Sequence, residues 1–110
     1  MNIKRITAIM PIDSLQSVEK YMRECGVPGV TVETVQGHGE HPDYFRKDLM
    51  KNNAKLTLYT VEEKVDEIIE ALSACARELG LEHGIIAVDS VDRLVRLVDG
   101  NRVSPASLHE

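Results

Sequence analysis

Aromatic side chains, long apolar runs and an excess of positive charge are all scarce in this chain. With no Trp and one Phe among 110 residues, the core must be aliphatic. No apolar run reaches the roughly 18 residues of a membrane span, and the N-terminus has no apolar segment typical of a signal peptide. The net charge is −5, which argues against general nucleic-acid binding because such proteins present a basic face. We therefore expect a cytoplasmic protein with no nucleic-acid partner and no direct membrane insertion.

The length and the cysteine content both fit a single domain in a reducing compartment. With 43% hydrophobic and 28% charged residues, a chain of this size can bury a genuine core. Its two cysteines, Cys25 and Cys75, fall in predicted helices. Two cysteines make no disulfide framework, so we expect reduced thiols that are partly buried.

Hydrophobic periodicity predicts six main elements in the order β-α-β-β-α-β. Sequences of capping-box form, Asp13-Ser-Leu-Gln16 and Thr60-Val-Glu-Glu63, precede the two predicted helices. Gly26 and Gly80 are the predicted stop signals of these helices. The strands are predicted at residues 6–10, 30–36, 55–60 and 85–88, with a short extra strand at 94–98. The tail of residues 101–110 has no apolar period, and we expect it to be mobile.

This element order predicts an α+β domain over residues 1–100, a ferredoxin-like βαββαβ fold with a short extra C-terminal strand. The helices of that fold cover only one face of a four-stranded antiparallel sheet. The other face, which carries alternate residues such as Leu56 and Leu58 or Thr57 and Tyr59, needs a cover. The rest of the chain is too short to provide one, so we expect self-association.

A long polar segment joins the second and third predicted strands. It begins at Gly37-His-Gly39, where two glycines permit positive φ or the close approach of another group. From there to about residue 53 no strand or helix period is sustained, whereas hairpin loops are usually about two to five residues long. Loops of this length in a compact domain tend to be functional or disordered.

Four local motifs in this order and register resemble one family over about residues 3–100. They are Pro28-Gly-Val-Thr-Val32, Val35-Gln-Gly-His-Gly39, Ala76-Arg77 followed by Gly84-Ile-Ile-Ala-Val88, and Val91-Asp-Arg-Leu-Val-Arg96. The family is that of the PII signalling proteins. In the same order, the motifs resemble the family's entry to the second strand, the base of its protruding T-loop, its helix end with the B-loop and fourth strand, and its last strand. The long segment is then the T-loop, at about residues 37–53.

The resemblance implies a homotrimer with inward-facing sheets, active in signal transduction and nitrogen regulation. Clefts between subunits, built from the T-loop base, the B-loop and the neighbour's last strand, hold ATP, ADP or AMP, in some members with Mg and 2-oxoglutarate. The T-loop then docks on a partner such as a transporter, an enzyme or a regulator. The ligand-binding residues that it implies here are Gly29, Thr31, Gly37, Gly39, His41, His83, Gly84 and Arg96.

The sequence also departs from the family pattern at the implied ligand site. The positions that differ are Glu40-His41 for Arg-Gln, Glu78 for Thr, His83 for an acidic residue, Ile85 for a basic residue, and Val98 for the second Arg of the last strand. Glu40, Glu78 and Glu82 near a triphosphate would oppose its charge. The sequence therefore predicts a small anionic ligand and leaves open whether it is a nucleotide. The context of Tyr44 lacks the family's modification motif, so uridylylation is not predicted.

Several candidate residues keep two interpretations. Gly37 and Gly39 are either turn glycines or a ligand-cradling loop base, and Arg96 is either a solvated strand charge or an anion contact from a neighbouring subunit. Tyr44-Phe45 either packs on the body of the protein or forms a hot spot for a partner.

The alternative function is a trimeric metal-binding protein of the CutA-type architecture. His38 and His41 offer nitrogen ligands for a divalent transition metal, with His83 as a third candidate, although loop histidines at this spacing are more often plain surface residues. A small enzyme on this fold is a third alternative. No Ser-His-Asp or Cys-His arrangement suggests itself, so we expect a protein that is not an enzyme.

Overall fold

Two helices pack on one face of a four-stranded antiparallel sheet, in a computed structural model that describes residues 2–27, 29–37, 51–104 and 108. The strands are β1 (Ile3–Pro11), β2 (Thr31–Gly37), β3 (Lys51–Val61) and β4 (Ile85–Val91), and the helices are α1 (Leu15–Glu24) and α2 (Val65–Glu78). The strand order is β2-β3-β1-β4. This confirms the predicted α+β, ferredoxin-like fold.

The core lies between the sheet and the helices and is aliphatic, as the scarcity of aromatic residues predicted. Side chains alternate along a strand, so Ile6 on β1 and its partner Leu58 on β3 both point towards the helices, where each is at most 1% exposed. The helices contribute apolar positions at helical spacing. The residues buried there include Ala8, Met10, Val18, Met22, Ala54, Leu56, Ile68, Leu72 and Cys75.

Each helix begins with a 3₁₀ turn, and the capping box predicted at Asp13 is not formed. The turns are Ile12–Ser14 and Glu62–Lys64, and no side-chain hydrogen bond caps either helix start. The hydroxyl of Ser14 instead donates to the Pro11 carbonyl at 2.6 Å. Asp13 lies inside the first 3₁₀ turn, so its carboxylate is not at the capping position of α1.

The helix ends agree with the sequence prediction. Gly26 has φ 85° and Gly80 has φ 70°, a region that favours glycine. The amide of Gly26 donates to the Arg23 carbonyl, and that of Gly80 donates to the Arg77 carbonyl. The next residue in each case bonds back to the carbonyl five positions earlier, which completes a Schellman motif.

β3 begins four residues earlier than predicted, and β2 ends one residue later. Gly37 pairs with Lys51, and Gln36 pairs with Asn52, so the segment between the strands comprises residues 38–50 rather than about 37–53. The pattern of apolar residues missed this extension because no third strand accompanies it, since β1 ends at Pro11 opposite Asn53.

The short fifth strand predicted at residues 94–98 is reduced to one arm of a hairpin. Its only β-bridge in the described part of the chain outside the sheet joins Val95 to Arg102. The Val103 amide donates to the Leu94 carbonyl at 2.9 Å. The first described residues of the predicted tail, 101–103, therefore pair back on residues 94–96. At the tip of the hairpin Leu97 and Val98 are 98% and 97% exposed.

No helix or strand among the described residues covers the second face of the sheet, where Leu108 of the tail lies at a cavity lined by Thr31, Thr57 and Tyr59. In register across it lie Thr31, Thr57, Thr7 and Ala87, one from each strand. In the adjacent row the Arg5 guanidinium donates through Nε to Asp89 Oδ1 at 3.1 Å. No helix in the described ranges is long and apolar enough to cross a membrane.

Candidate functional site

The loop of residues 81–84 joins α2 to β4 and crosses β1 at very short range. Gly84 has φ 141°, and a Cβ atom built there would lie 2.7 Å from the Ile9 carbonyl oxygen, closer than real contacts allow. Gly84 was predicted to bind ligand, and the subunit alone already requires glycine at this position for packing. A role in ligand binding therefore stays a prediction.

A cavity of about 310 Å³ opens beside this loop, between the two helices and the β1–β4 pair. Its walls are mainly aliphatic and include Ala8, Met10, Val18, Leu72, Ala76, Leu81, Ile85 and Ile86. The polar groups at it are Ser73, Glu82 and His83. An apolar cavity edged by a few polar groups is the usual form of a small-molecule site. The sequence predicted His83 at this site but not Ser73, because a serine next to the apolar positions of α2 belongs to no motif.

A second cavity, of about 380 Å³, lies at the start of β2 and contains both Gly29 and Thr31. Thr31 pairs with Thr57 on β3, which also lines this cavity together with Tyr59. A Cβ atom at Gly29 would meet no heavy atom within 4 Å. Packing within the subunit therefore does not explain why this position is glycine.

Arg96 lies in the C-terminal hairpin and lines neither of these cavities. Its guanidinium binds the Asp99 carboxylate, with Nη2 2.6 Å from Oδ2 and Nε 3.4 Å from Oδ1. Asp99 Oδ1 also accepts the Asn101 amide at 2.8 Å. Arg96 is thus neither a freely solvated charge nor an open anion contact in the subunit. An anion that binds Arg96 must share it with Asp99 or displace Asp99.

The strand order explains why the two groups at the sheet edges do not meet. The Gly29–Thr31 segment enters β2, and the His83–Gly84 segment enters β4, and these strands form opposite edges of the sheet. Three strand spacings of about 4.8 Å put roughly 14 Å between the edges. Within one chain, the predicted ligand residues at the two edges of the sheet therefore lie apart.

The remaining predicted residues lie on the T-loop. Gly37 ends β2 opposite Lys51. The candidate metal ligands His38 and His41, together with Gly39, Tyr44 and Phe45, lie outside the described residues, and their roles stay predictions. Within the described ranges no three His, Cys, Asp or Glu side chains are grouped as metal ligands.

The two cysteines differ in their surroundings. Cys25 is exposed at the end of α1, whereas Cys75 is buried on α2, and both are free thiols. Burial raises the pKa of the Cys75 thiol, and the nearby Glu78 carboxylate adds to the shift. Cys25 is therefore more accessible than the partly buried thiol that the sequence predicted.

Comparisons with known proteins agree in sequence and in structure. A family model described as nitrogen regulatory protein P-II matches residues 3–101. The nitrogen regulatory protein P-II of Pasteurella multocida is 30% identical over 105 residues, which cover 89% of this chain and 94% of the relative. That of Rhizobium etli is 29% identical over 111 residues, which cover 94% and 99%. A crystal structure of Arabidopsis thaliana PII bound to citrate matches with a TM-score of 0.77 and 26% identity, covering 96% of this chain and 92% of that one.

Proposed function

Because this chain belongs to the nitrogen regulatory protein P-II family, we propose that it is a homotrimeric regulatory protein with a small anionic ligand in the clefts between its subunits. The ligand controls how the T-loop, residues 38–50, docks on a protein partner such as a membrane transporter or a regulated enzyme. The protein acts in the cytoplasm by binding, without catalysing a reaction of its own.

The observation that carries this proposal is the division of the ligand residues between opposite edges of the sheet. Gly29 and Thr31 lie at the β2 edge, and His83 and Gly84 lie where the chain enters the β4 edge. In a cyclic assembly each subunit uses two different surfaces, so that one edge of a subunit meets another surface of its neighbour. Such an arrangement joins half-sites that one subunit keeps apart.

The uncovered sheet face supports the trimeric form. Its central row, Thr31, Thr57, Thr7 and Ala87, consists of small side chains that permit close approach of another copy. The flanking pair Arg5–Asp89 already satisfies its charges within one subunit. This pair can therefore enter an interface as a hydrogen-bonded unit rather than as two isolated charges, which are costly to bury.

The chemistry of the half-sites favours an anion with an apolar part. The aliphatic cavity beside residues 81–84 suits a planar base or a hydrocarbon segment, and Arg96 supplies positive charge from the hairpin. An adenine nucleotide has both features. The Arabidopsis PII relative is described as bound to citrate, which is also anionic. The carboxylate of Glu82 at the cavity disfavours a high negative charge there, so we expect AMP or ADP to bind more tightly than ATP.

Calorimetric titration of the full chain with AMP, ADP and ATP tests the ligand. We expect saturable binding that Arg96→Gln weakens about tenfold, since a hydrogen bond to a charged group contributes roughly 1.5–3 kcal/mol. Arg23→Gln is the matched control because Arg23 is an exposed arginine paired with Glu19 at 2.8 Å on α1, and it should bind like the wild type. Equal affinities for Arg96→Gln and wild type would show that the hairpin does not reach the ligand.

A further inference from the structure

A third cleft, of about 590 Å³, lies at the opposite end of β4 from the loop of residues 81–84. β4 has seven residues from Ile85 to Val91, and its ends are about 20 Å apart at roughly 3.3 Å per residue. The cleft is formed by the start of β1, the end of β4 and the returning arm of the hairpin at residues 102–104. It is therefore distinct from the cavities of the proposed nucleotide site, and it is complete within one subunit.

The cleft is positively charged in a protein whose net charge is −5. Three cationic side chains line it, Lys4, Arg93 and Arg102, against a single carboxylate, Asp92. A positively charged cleft attracts anions even in an acidic protein, and the low dielectric constant of the cleft walls strengthens the electrostatic potential inside it.

The two arginines of the cleft differ from all other arginines in the described ranges. Arg5, Arg23, Arg77 and Arg96 are each paired with a carboxylate within 2.9 Å. By contrast, neither Arg93 nor Arg102 has a carboxylate partner among the residues that the structure describes. Guanidinium groups are suited to bidentate binding of phosphate and carboxylate, and here two of them face one cleft without such a partner.

A side-chain hydrogen bond on one side of the cleft and backbone contacts on the other hold the cationic groups. On the sheet side, the Lys4 ammonium donates to the Ser90 hydroxyl at 2.7 Å, which positions it between β1 and β4. On the hairpin side, the bridge between Val95 and Arg102 and the bond from the Val103 amide to the Leu94 carbonyl fix the backbone at Arg102. The charges are therefore supplied by two elements that a bound anion would join.

We propose that this cleft binds a small polyanion that carries at least two oxyanion groups, either phosphates or carboxylates. One oxyanion group binds near Lys4 and Arg93 at the end of the sheet, and the other binds Arg102 on the hairpin. The volume lies within the range of about 300–1,000 Å³ typical of small-molecule sites and exceeds what a single phosphate group fills. The Asn2 and Ser90 side chains, which also line the cleft, add hydrogen-bonding groups.

Calorimetric titration of the full chain at low ionic strength tests this site, with pyrophosphate in one arm and tricarballylate in the other. We expect saturable binding of at least one probe, and the probe that binds identifies phosphate or carboxylate as the preferred group. Arg93→Gln and Arg102→Gln should each weaken it about tenfold, the factor expected from loss of a charge-assisted hydrogen bond. Raising the salt concentration should weaken it further.

Two control variants separate this site from the proposed nucleotide cleft. Arg23→Gln makes the same charge change on α1 and should bind the probes like the wild type. Arg96→Gln should weaken AMP binding and leave binding of the probes unchanged. The proposal is wrong if neither probe binds the wild type, or if binding is insensitive to Arg93→Gln and Arg102→Gln. It is also wrong if Arg96→Gln, rather than Arg102→Gln, abolishes binding of the probes, since the probes would then occupy the intersubunit cleft.

Discussion

Gly84 combines a backbone conformation and a close contact that both exclude a side chain. Its φ of 141° is rare for other residues, and a Cβ atom would lie 2.7 Å from the Ile9 carbonyl oxygen. We expect Gly84→Ala to lower the free energy of unfolding by about 3 kcal/mol, since backbone strain and a steric clash act together. Urea denaturation measures this change.

Gly80 provides a matched control for that prediction. It also has positive φ, at 70°, but a Cβ atom there would meet no heavy atom within 4 Å. Gly80→Ala therefore has only the conformational cost of about 1 kcal/mol. If the free energy of unfolding fell by the same amount in both variants, the close contact with Ile9 would contribute nothing to the cost of Gly84→Ala.

Single residues also show where sequence reasoning about the site reaches its limit. His83 and Gly84 were predicted to bind ligand, and both line a cavity; their role in binding stays a prediction. The motif analysis did not find that Arg96 is neutralised by Asp99, because that pairing depends on a turn of the hairpin. It also did not find the cationic cleft, whose members Lys4, Arg93 and Arg102 are distant in sequence and meet only in the folded chain.

At the scale of elements, the C-terminal hairpin decides whether Arg96 is available to a ligand. The Asp99 carboxylate holds its guanidinium at 2.6 Å in the subunit. We expect Asp99→Asn to remove this competition and to increase the affinity for AMP about threefold, while the stability changes by less than about 1 kcal/mol because the pair is exposed. Calorimetry and thermal unfolding measure the two quantities.

The control for Asp99→Asn must make the same change in net charge elsewhere. Asp66→Asn does so in the first turn of α2, away from the hairpin, and should leave AMP binding unchanged. A similar gain in both variants would mean that AMP responds to the overall charge of the protein, and an unchanged affinity for Asp99→Asn would mean that Asp99 does not compete.

The elements themselves were predictable to different degrees, for physical reasons. β1, β3 and the two helices follow from apolar periodicity, because each places buried side chains in the core. β2 and β4 follow instead from their runs of β-branched and aliphatic residues, although none of their described side chains is fully buried. The helix stops follow from Gly26 and Gly80, which local conformation alone requires. The extended ends of β2 and β3 and the bridge between Val95 and Arg102 lie beyond the core. Because side chains outside the core need not be apolar, the sequence there shows no apolar periodicity, and these features were not predicted.

At the scale of the whole molecule, the uncovered face of the sheet makes assembly testable by one substitution. Thr7 lies in its central row, paired with Thr57 and Ala87. We expect Thr7→Arg to leave the subunit folded, since its side chain points away from the helices, and to shift the protein from trimer to monomer. A large charged side chain buried without a partner costs several kcal/mol. Sedimentation velocity measures the change in mass.

Ser17→Arg is the corresponding control, because Ser17 is exposed on α1, on the helical side of the sheet. It should sediment like the wild type. A wild-type chain that sediments as a stable single subunit at working concentration would contradict the trimer and remove the shared clefts with it. The cationic cleft, which needs only one subunit, would be unaffected by that result.

The two rungs that β2 and β3 share beyond the end of β1 have a consequence for local stability. Gln36–Asn52 and Gly37–Lys51 form a narrow stalk with no third strand beside it. A two-stranded ribbon has pairing on one side only and is less stable than the four-stranded sheet from which it extends, so we expect these two pairs to open before the rest of β2 and β3. Pro11, where β1 ends opposite Asn53, therefore marks the boundary between the stable sheet and a pair of strands whose amide protons should exchange with solvent sooner.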